Sequence, residues 1–118
     1  MLEAHKQFGK LSLEEILKPV IKQAKEGVEV TYDLHKAIDS TPRLKSDEES
    51  RNIYFKDNKP LEENSIFIVP GLANTISLIA KNGRDGFYKG ETAEKIVTAM
   101  NNNGGLFSKE DLESYKPY

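Results

Sequence analysis

Residues 12–27 constrain the fold of this chain more than any other stretch. Ser12-Leu13-Glu14-Glu15 is a capping box, in which the Ser12 hydroxyl accepts a backbone N–H while the Glu15 carboxylate reaches back to the cap. Leu13, Ile16, Leu17, Val20, Ile21 and Ala24 then recur at the spacing of one helical face, and Gly27 offers a left-handed stop. These signals predict an amphipathic helix with a defined start, a buried apolar face and a defined end. Pro19 cannot donate to the Glu15 carbonyl and crowds it, so a kink is expected there.

The same punctuation recurs downstream. Thr31 caps a short helix carrying Leu34, Ala37 and Ile38, which should end near Ser40 ahead of Pro42. Pro70 is placed to open another helix, with Leu72, Ala73, Ile76, Ile79 and Ala80 toward the core and Gly83 closing it. After Gly90, residues Ala93, Ile96, Val97 and Met100 mark a further helical face, ending in Asn101-Asn102-Asn103-Gly104-Gly105. Ser108, with Asp111 three residues on, begins a last short helix.

Between these helices half of residues 43–64 are charged, which marks a solvent-facing middle. Ile53-Tyr54-Phe55 and Ile66-Phe67-Ile68-Val69 are β-branched and aromatic runs flanking a turn-rich segment, and a small hairpin between them is expected. The fold class is therefore mainly α with one small β hairpin. A chain of 118 residues has the size of one domain, and no internal repeat or low-complexity linker divides residues 1–118.

Composition narrows the function classes. The net charge of −2 argues against a generic electrostatic grip on nucleic acid or acidic membranes. No window offers the roughly 18 apolar residues of a membrane span. The opening Met1-Leu2-Glu3-Ala4-His5-Lys6 lacks the apolar core of a signal peptide. The absence of cysteine removes disulfides, thiolate catalysis and cysteine-ligated metal.

Candidate chemistry is equally sparse. His5 and His35, the two histidines, stand at no ligand spacing from one another and read as surface or helix-side residues. Asp47-Glu48-Glu49 reads as a solvated run or a helix start rather than a carboxylate site. A calcium loop begun at Asp57 meets Lys59 and Leu61 where oxygen ligands belong. Gly83, Gly86 and Gly90 fit neither a dinucleotide fingerprint nor a phosphate loop, and serve as helix stops and turn residues. Ser12 and Ser108 lie in no nucleophile elbow. Ala93 through Leu112 has the outline of a helix-turn-helix, but Glu110, Asp111 and Glu113 against Lys109 on the second helix would repel phosphates. No catalytic, cofactor-binding or metal site is expected within the chain. A free-standing helical interaction module and, less in keeping with its charge, a helix-turn-helix DNA binder are readings that such a chain leaves open.

Longer-range patterns point to a family. Ala4-His5-Lys6, Phe8-Gly9, Leu11, Leu17, Pro19, Ala24-x-x-Gly27 and Lys59-Pro60-Leu61 precede a denser set from Pro70 onward. That set comprises Leu72-Ala73-Asn74-Thr75, Ile79-Ala80, Gly83-x-Asp85-Gly86-Phe87-Tyr88-x-Gly90, Ala93, Ile96, Asn103-Gly104-Gly105 and Asp111-Leu112-x-x-Tyr115. In order and spacing the whole chain resembles a segment of the large subunit of γ-glutamyltranspeptidase, also called glutathione hydrolase.

The resemblance implies an excised helical part of an N-terminal-nucleophile (αββα) hydrolase, made as a self-cleaving precursor. In that family the new terminal threonine of the small subunit attacks a γ-glutamyl amide, its own α-amine activating the hydroxyl. The acyl group then passes to water, an amino acid or a peptide. None of Thr31, Thr41, Thr75, Thr92 and Thr98 belongs to the Thr-Thr-His type of sequence that marks the cleavage point. The family's substrate-carboxylate arginine lies upstream, so Arg43, Arg51 and Arg84 do not inherit that role. The resemblance thus implies a scaffold whose partners are the rest of the large subunit and the small subunit, and a parent exported and acting on glutathione or other γ-glutamyl compounds. It also implies that the isolated chain is inactive, with an apolar face that favours self-association.

Overall fold

A computed structural model describes residues 2–116; Met1, the first residue of the leader reading, lies outside them. The order is α1 (Leu2–Phe8), α2 (Leu13–Glu26), β1 (Val28–Glu29), α3 (Tyr32–Asp39), a 3₁₀ turn (Pro42–Lys45), α4 (Glu48–Tyr54), β2 (Phe55–Lys56), β3 (Lys59–Pro60), β4 (Ile66–Phe67), α5 (Leu72–Asn82), α6 (Asp85–Tyr88), α7 (Gly90–Asn102) and α8 (Lys109–Ser114). The chain is mostly helical and forms two compact units, Met1–Ile21 with Ala73–Tyr118, and Lys22–Leu72.

Caps set the helix boundaries as expected. Glu15 N–H donates to Ser12 Oγ at 3.2 Å and Ser12 N–H to Glu15 Oε2 at 3.0 Å, completing the capping box of α2. Leu34 N–H donates to Thr31 Oγ1 at the start of α3. Gly27, at φ 86°, ends α2, and the helix is uninterrupted at Pro19. Its apolar face is half-buried rather than buried: Leu13, Leu17, Ile21 and Ala24 are partly covered. Among the described residues α2 has no buried member, and Ile16 and Val20 are 42% and 43% exposed. The i, i+3, i+4 spacing records which face is apolar, but how deeply it is buried depends on how much of a second surface lies on it.

The unit of Lys22–Leu72 departs most from the sequence expectation. Ile53 and Tyr54 close α4 instead of forming a strand. Asp47 accepts from Ser50 N–H at 2.7 Å, and Glu48 and Glu49 follow in the first turn, so the acidic run is a helix start whose reach extends through Tyr54. The hairpin is β2 with β3, joined by Asp57-Asn58 at φ 49° and 65°, as a two-residue turn matching the twist of its strands demands. The second run, Ile66-Phe67, pairs antiparallel with Val28-Glu29 of β1. Val30 continues that strand line, donating to Ser65 O and accepting from Asn64 N–H, both at 2.8 Å. Val30, Ile38 and Phe55 form the buried centre of this unit. Tyr54 stacks on Phe67 at 5.6 Å.

Pro70 sits in a turn and not at the first helical position. Leu72 N–H bonds to Val69 O around Pro70-Gly71, with Gly71 at φ 80°, the arrangement of a type II turn. Leu72, expected in the core, is 41% exposed. In the unit built from the two chain ends, Ala80 of α5, Gly86 of α6 and Thr92 and Ala93 of α7 are buried.

Candidate functional site

Side chains and backbone interlock at the junction of α5, α6, α7 and α8. A Cβ added to Gly86 would fall inside 3.0 Å of the Leu78 carbonyl and of Ile79 N, so α6 meets the backbone of α5 directly. Gly83 and Gly90, either side, have φ 58° and 60°. The buried Thr92 Oγ1 donates to Gly86 O at 3.0 Å, tying α7 to the same point. One glycine thus makes room while two others turn the chain.

Arg84 joins this junction to α8. Its Nη2 donates to the carbonyl oxygens of Leu112 (3.4 Å), Glu113 (3.1 Å) and Tyr115. Those are the carbonyls left open at a helix C-terminus, where a cation also opposes the helix dipole. Nη1 lies 3.7 Å from Asp85 Oδ1, and the guanidinium stands 4.6 Å over the Tyr88 ring. Tyr88 stacks on Tyr115 at 5.5 Å. Arg84 is therefore committed to the chain's own carbonyls and rings. The sequence assigns Arg84 no role beyond withholding the substrate-carboxylate one; a Gly-Arg-Asp-Gly turn beside a short capped helix is the available signal for a clamp.

The joint after α7 is a helix stop. Gly104, at φ 71°, donates to Asn101 O, and Gly105 N–H donates to Met100 O at 2.7 Å, the paired bonds of a Schellman motif. Ser108 and Asp111 complete a capping box: Asp111 N–H donates to Ser108 Oγ, and Ser108 N–H to Asp111 Oδ2. These Ser108 bonds hold the Asp111 carboxyl below its usual range, and the bonds from Ser12 and from Ser50 do the same for Glu15 and Asp47. Between the two motifs Leu106 is 96% exposed.

A shallow groove along α5 and α7 is lined by Asn74, Thr75, Phe87, Glu91, Lys95 and Ile96. Glu91 Oε1 accepts from Lys95 Nζ at 2.7 Å and from Asn74 Nδ2 at 3.1 Å, and Lys95 foremost keeps its carboxyl below the usual range. This is a surface ion pair with an amide beside it. Each histidine is engaged within its own unit: the His5 ring faces Leu11 O from Nε2 at 2.9 Å, and His35 faces Leu61 O from Nδ1 at 2.8 Å. A carbonyl only accepts, so each of those nitrogens carries its proton. Among the described residues no three His, Cys, Asp or Glu side chains gather to hold a metal ion, and no helix is long and apolar enough to cross a membrane.

The fold recurs in known proteins. The structure superposes on the gamma-glutamyltranspeptidase of Helicobacter pylori with a TM-score of 0.91 and 31% identity, over 98% of this chain and 34% of that one. In sequence the chain is 36% identical to the glutathione hydrolase proenzyme of Escherichia coli over 93% of its length, and 38% identical to that of Pseudomonas aeruginosa over 97%. It spans about a fifth of those relatives, 19% and 20%. The family model for gamma-glutamyltranspeptidase matches residues 1–118. The chain belongs to the gamma-glutamyltranspeptidase family, and corresponds to a segment of such an enzyme.

Proposed function

We propose that residues 1–118 act as one scaffold segment of the large subunit of a γ-glutamyltransferase/glutathione hydrolase, with the catalytic threonine elsewhere in the parent. One observation carries this reading. The residues that bear the family resemblance serve as packing and capping groups: Gly86 gives α5 and α6 their close approach, Tyr88 stacks on Tyr115, Gly104 ends α7 and Asp111 caps α8. Their value lies in holding helices together.

In this reading the parent transfers a γ-glutamyl group from glutathione or a related donor to water, an amino acid or a peptide. The segment's partners are the remainder of the large subunit and the small subunit, and no residue of the segment touches the reacting bond. The isolated chain is then inactive. Purified chain incubated with a chromogenic γ-glutamyl anilide is expected to release no anilide, and turnover above a buffer blank would overturn the scaffold assignment. The source reading frame gives a second test: it should continue through a Thr-Thr-His type of sequence, and a frame lacking one would remove the parent enzyme from the proposal.

A further inference from the structure

The chain contains two Asn-Gly dipeptides, Asn82-Gly83 and Asn103-Gly104, each at the end of a helix. They hold the glycine nitrogen differently. Gly83 donates its N–H to Ile79 O at 2.8 Å, a full helical bond, and Asn82 is still part of α5. Gly104 donates to Asn101 O at 3.4 Å, near the limit of a useful bond, and Asn103 has left helical geometry at φ −112° and ψ 13°. Both Asn103 and Gly104 are exposed.

We propose that Asn103 is a site of spontaneous deamidation in the folded chain, while Asn82 is protected by its helix. The Gly104 amide nitrogen loses its proton to a solvent base and attacks Cγ of Asn103. The new N–Cγ bond closes a succinimide ring as the Cγ–Nδ2 bond breaks, and the departing nitrogen takes a proton and leaves as ammonia. Water then opens the ring at either carbonyl, leaving aspartate or isoaspartate; nothing is oxidised or reduced. Glycine at the following position matters because no side chain obstructs the attack. Asn101 and Asn102 are each followed by asparagine and lack that opening.

The consequences fall on the joint. The Asn103 amide donates to Ala99 O at 2.8 Å, and a carboxylate cannot replace that donor. The new negative charge lies at the end of α7 whose dipole is already negative. Isoaspartate also adds a backbone carbon between α7 and the capping box of α8. Deamidation thus loosens the link that sets the direction of one helix against the next.

Folded chain is held at mildly alkaline pH, sampled over time, digested with a lysine-specific protease and sequenced by mass spectrometry, which places Asn82 and Asn103 on separate peptides. Ammonia loss at Asn103 is expected about tenfold faster than at Asn82, the factor that one retained backbone hydrogen bond supplies. In guanidinium chloride the two rates should converge. An Asn103→Gln chain should show no conversion at this joint, because its longer side chain closes a ring slowly. Equal rates in the folded chain, or a ratio unaffected by denaturant, would overturn the proposal.

Discussion

Replacing Gly86 with alanine adds one methyl group where α5 and α6 meet backbone to backbone. Gly86 has no positive φ, so alanine meets no conformational barrier and by propensity alone would gain about 1 kcal/mol in a helix. The steric term opposes this. The methyl carbon would lie 2.7 Å from Ile79 N and closer still to the Leu78 carbonyl, where real Cβ atoms keep at least 3.0 Å. Backbone cannot swing aside as a flexible side chain does, so α6 must move, at a cost of about 1–3 kcal/mol or more. Movement also pulls Gly86 O from the buried Thr92 hydroxyl, adding about 1–3 kcal/mol for a polar group left short of its partner. The net expectation is a loss of about 2–4 kcal/mol. Gly90→Ala is the internal control: its φ of 60° is unfavourable, but no atom lies within 4 Å of the new methyl, and the cost is about 1–2 kcal/mol. Urea unfolding followed by far-ultraviolet circular dichroism should move the midpoint down by about 1–2 M for Gly86→Ala at unchanged slope. A Gly86→Ala chain as stable as the parent sequence, or one less affected than Gly90→Ala, would refute the close-approach argument.

Two further expectations concern the junction and the caps. Arg84→Lys keeps the charge but loses the planar group that spans Leu112, Glu113 and Tyr115, so hydrogen exchange at the Leu112 and Tyr115 amides should accelerate about tenfold, and unchanged protection would remove the clamp. Glu15, Asp47, Glu91 and Asp111 all have carboxyls held below their ordinary range. Because the folded value is the lower one, their stabilisation is complete above about pH 5 and disappears as pH falls through the folded values. Replacing Asp111 with asparagine should flatten the acid limb of a denaturation-midpoint profile, and an unchanged limb would contradict the assigned cause.

Helix starts were legible in the sequence because a cap is local. Ser12 with Glu15, Thr31 with Leu34 and Ser108 with Asp111 each close a hydrogen bond across three residues, and no distant element is needed to form it. Strand pairing is different. Ile53-Tyr54 carries the side chains of a strand, but Asp47 had already committed that stretch to α4; Ile66-Phe67 found its partner at Val28-Glu29, far back in the chain. Gly83, Gly86 and Gly90 show another limit. The letters are the same, yet two are needed for positive φ and one for the lack of a Cβ, a distinction that exists only once α5 lies against α6. Arg84 escaped for the same reason, since its three carbonyl partners converge only when α8 is in place. At this junction the family resemblance is legible from spacing, whereas what those residues do there depends on α5, α6 and α8 having come together.

The β1–β4 pairing carries a consequence for the order of folding. Its two strands are only two residues long, and the segment between them contains α3, α4 and the β2–β3 hairpin. Bringing Glu29 to Ile66 costs the closure entropy of that loop before either strand gains a partner. Helices and a local hairpin, which close contacts only a few residues apart and form on the microsecond scale in general, lower that cost wherever they precede the pairing. The short ladder is the part of the unit that depends on this closure, and it runs beside Gly27, where an added Cβ would meet Ile66 and Ile68 inside 3.0 Å.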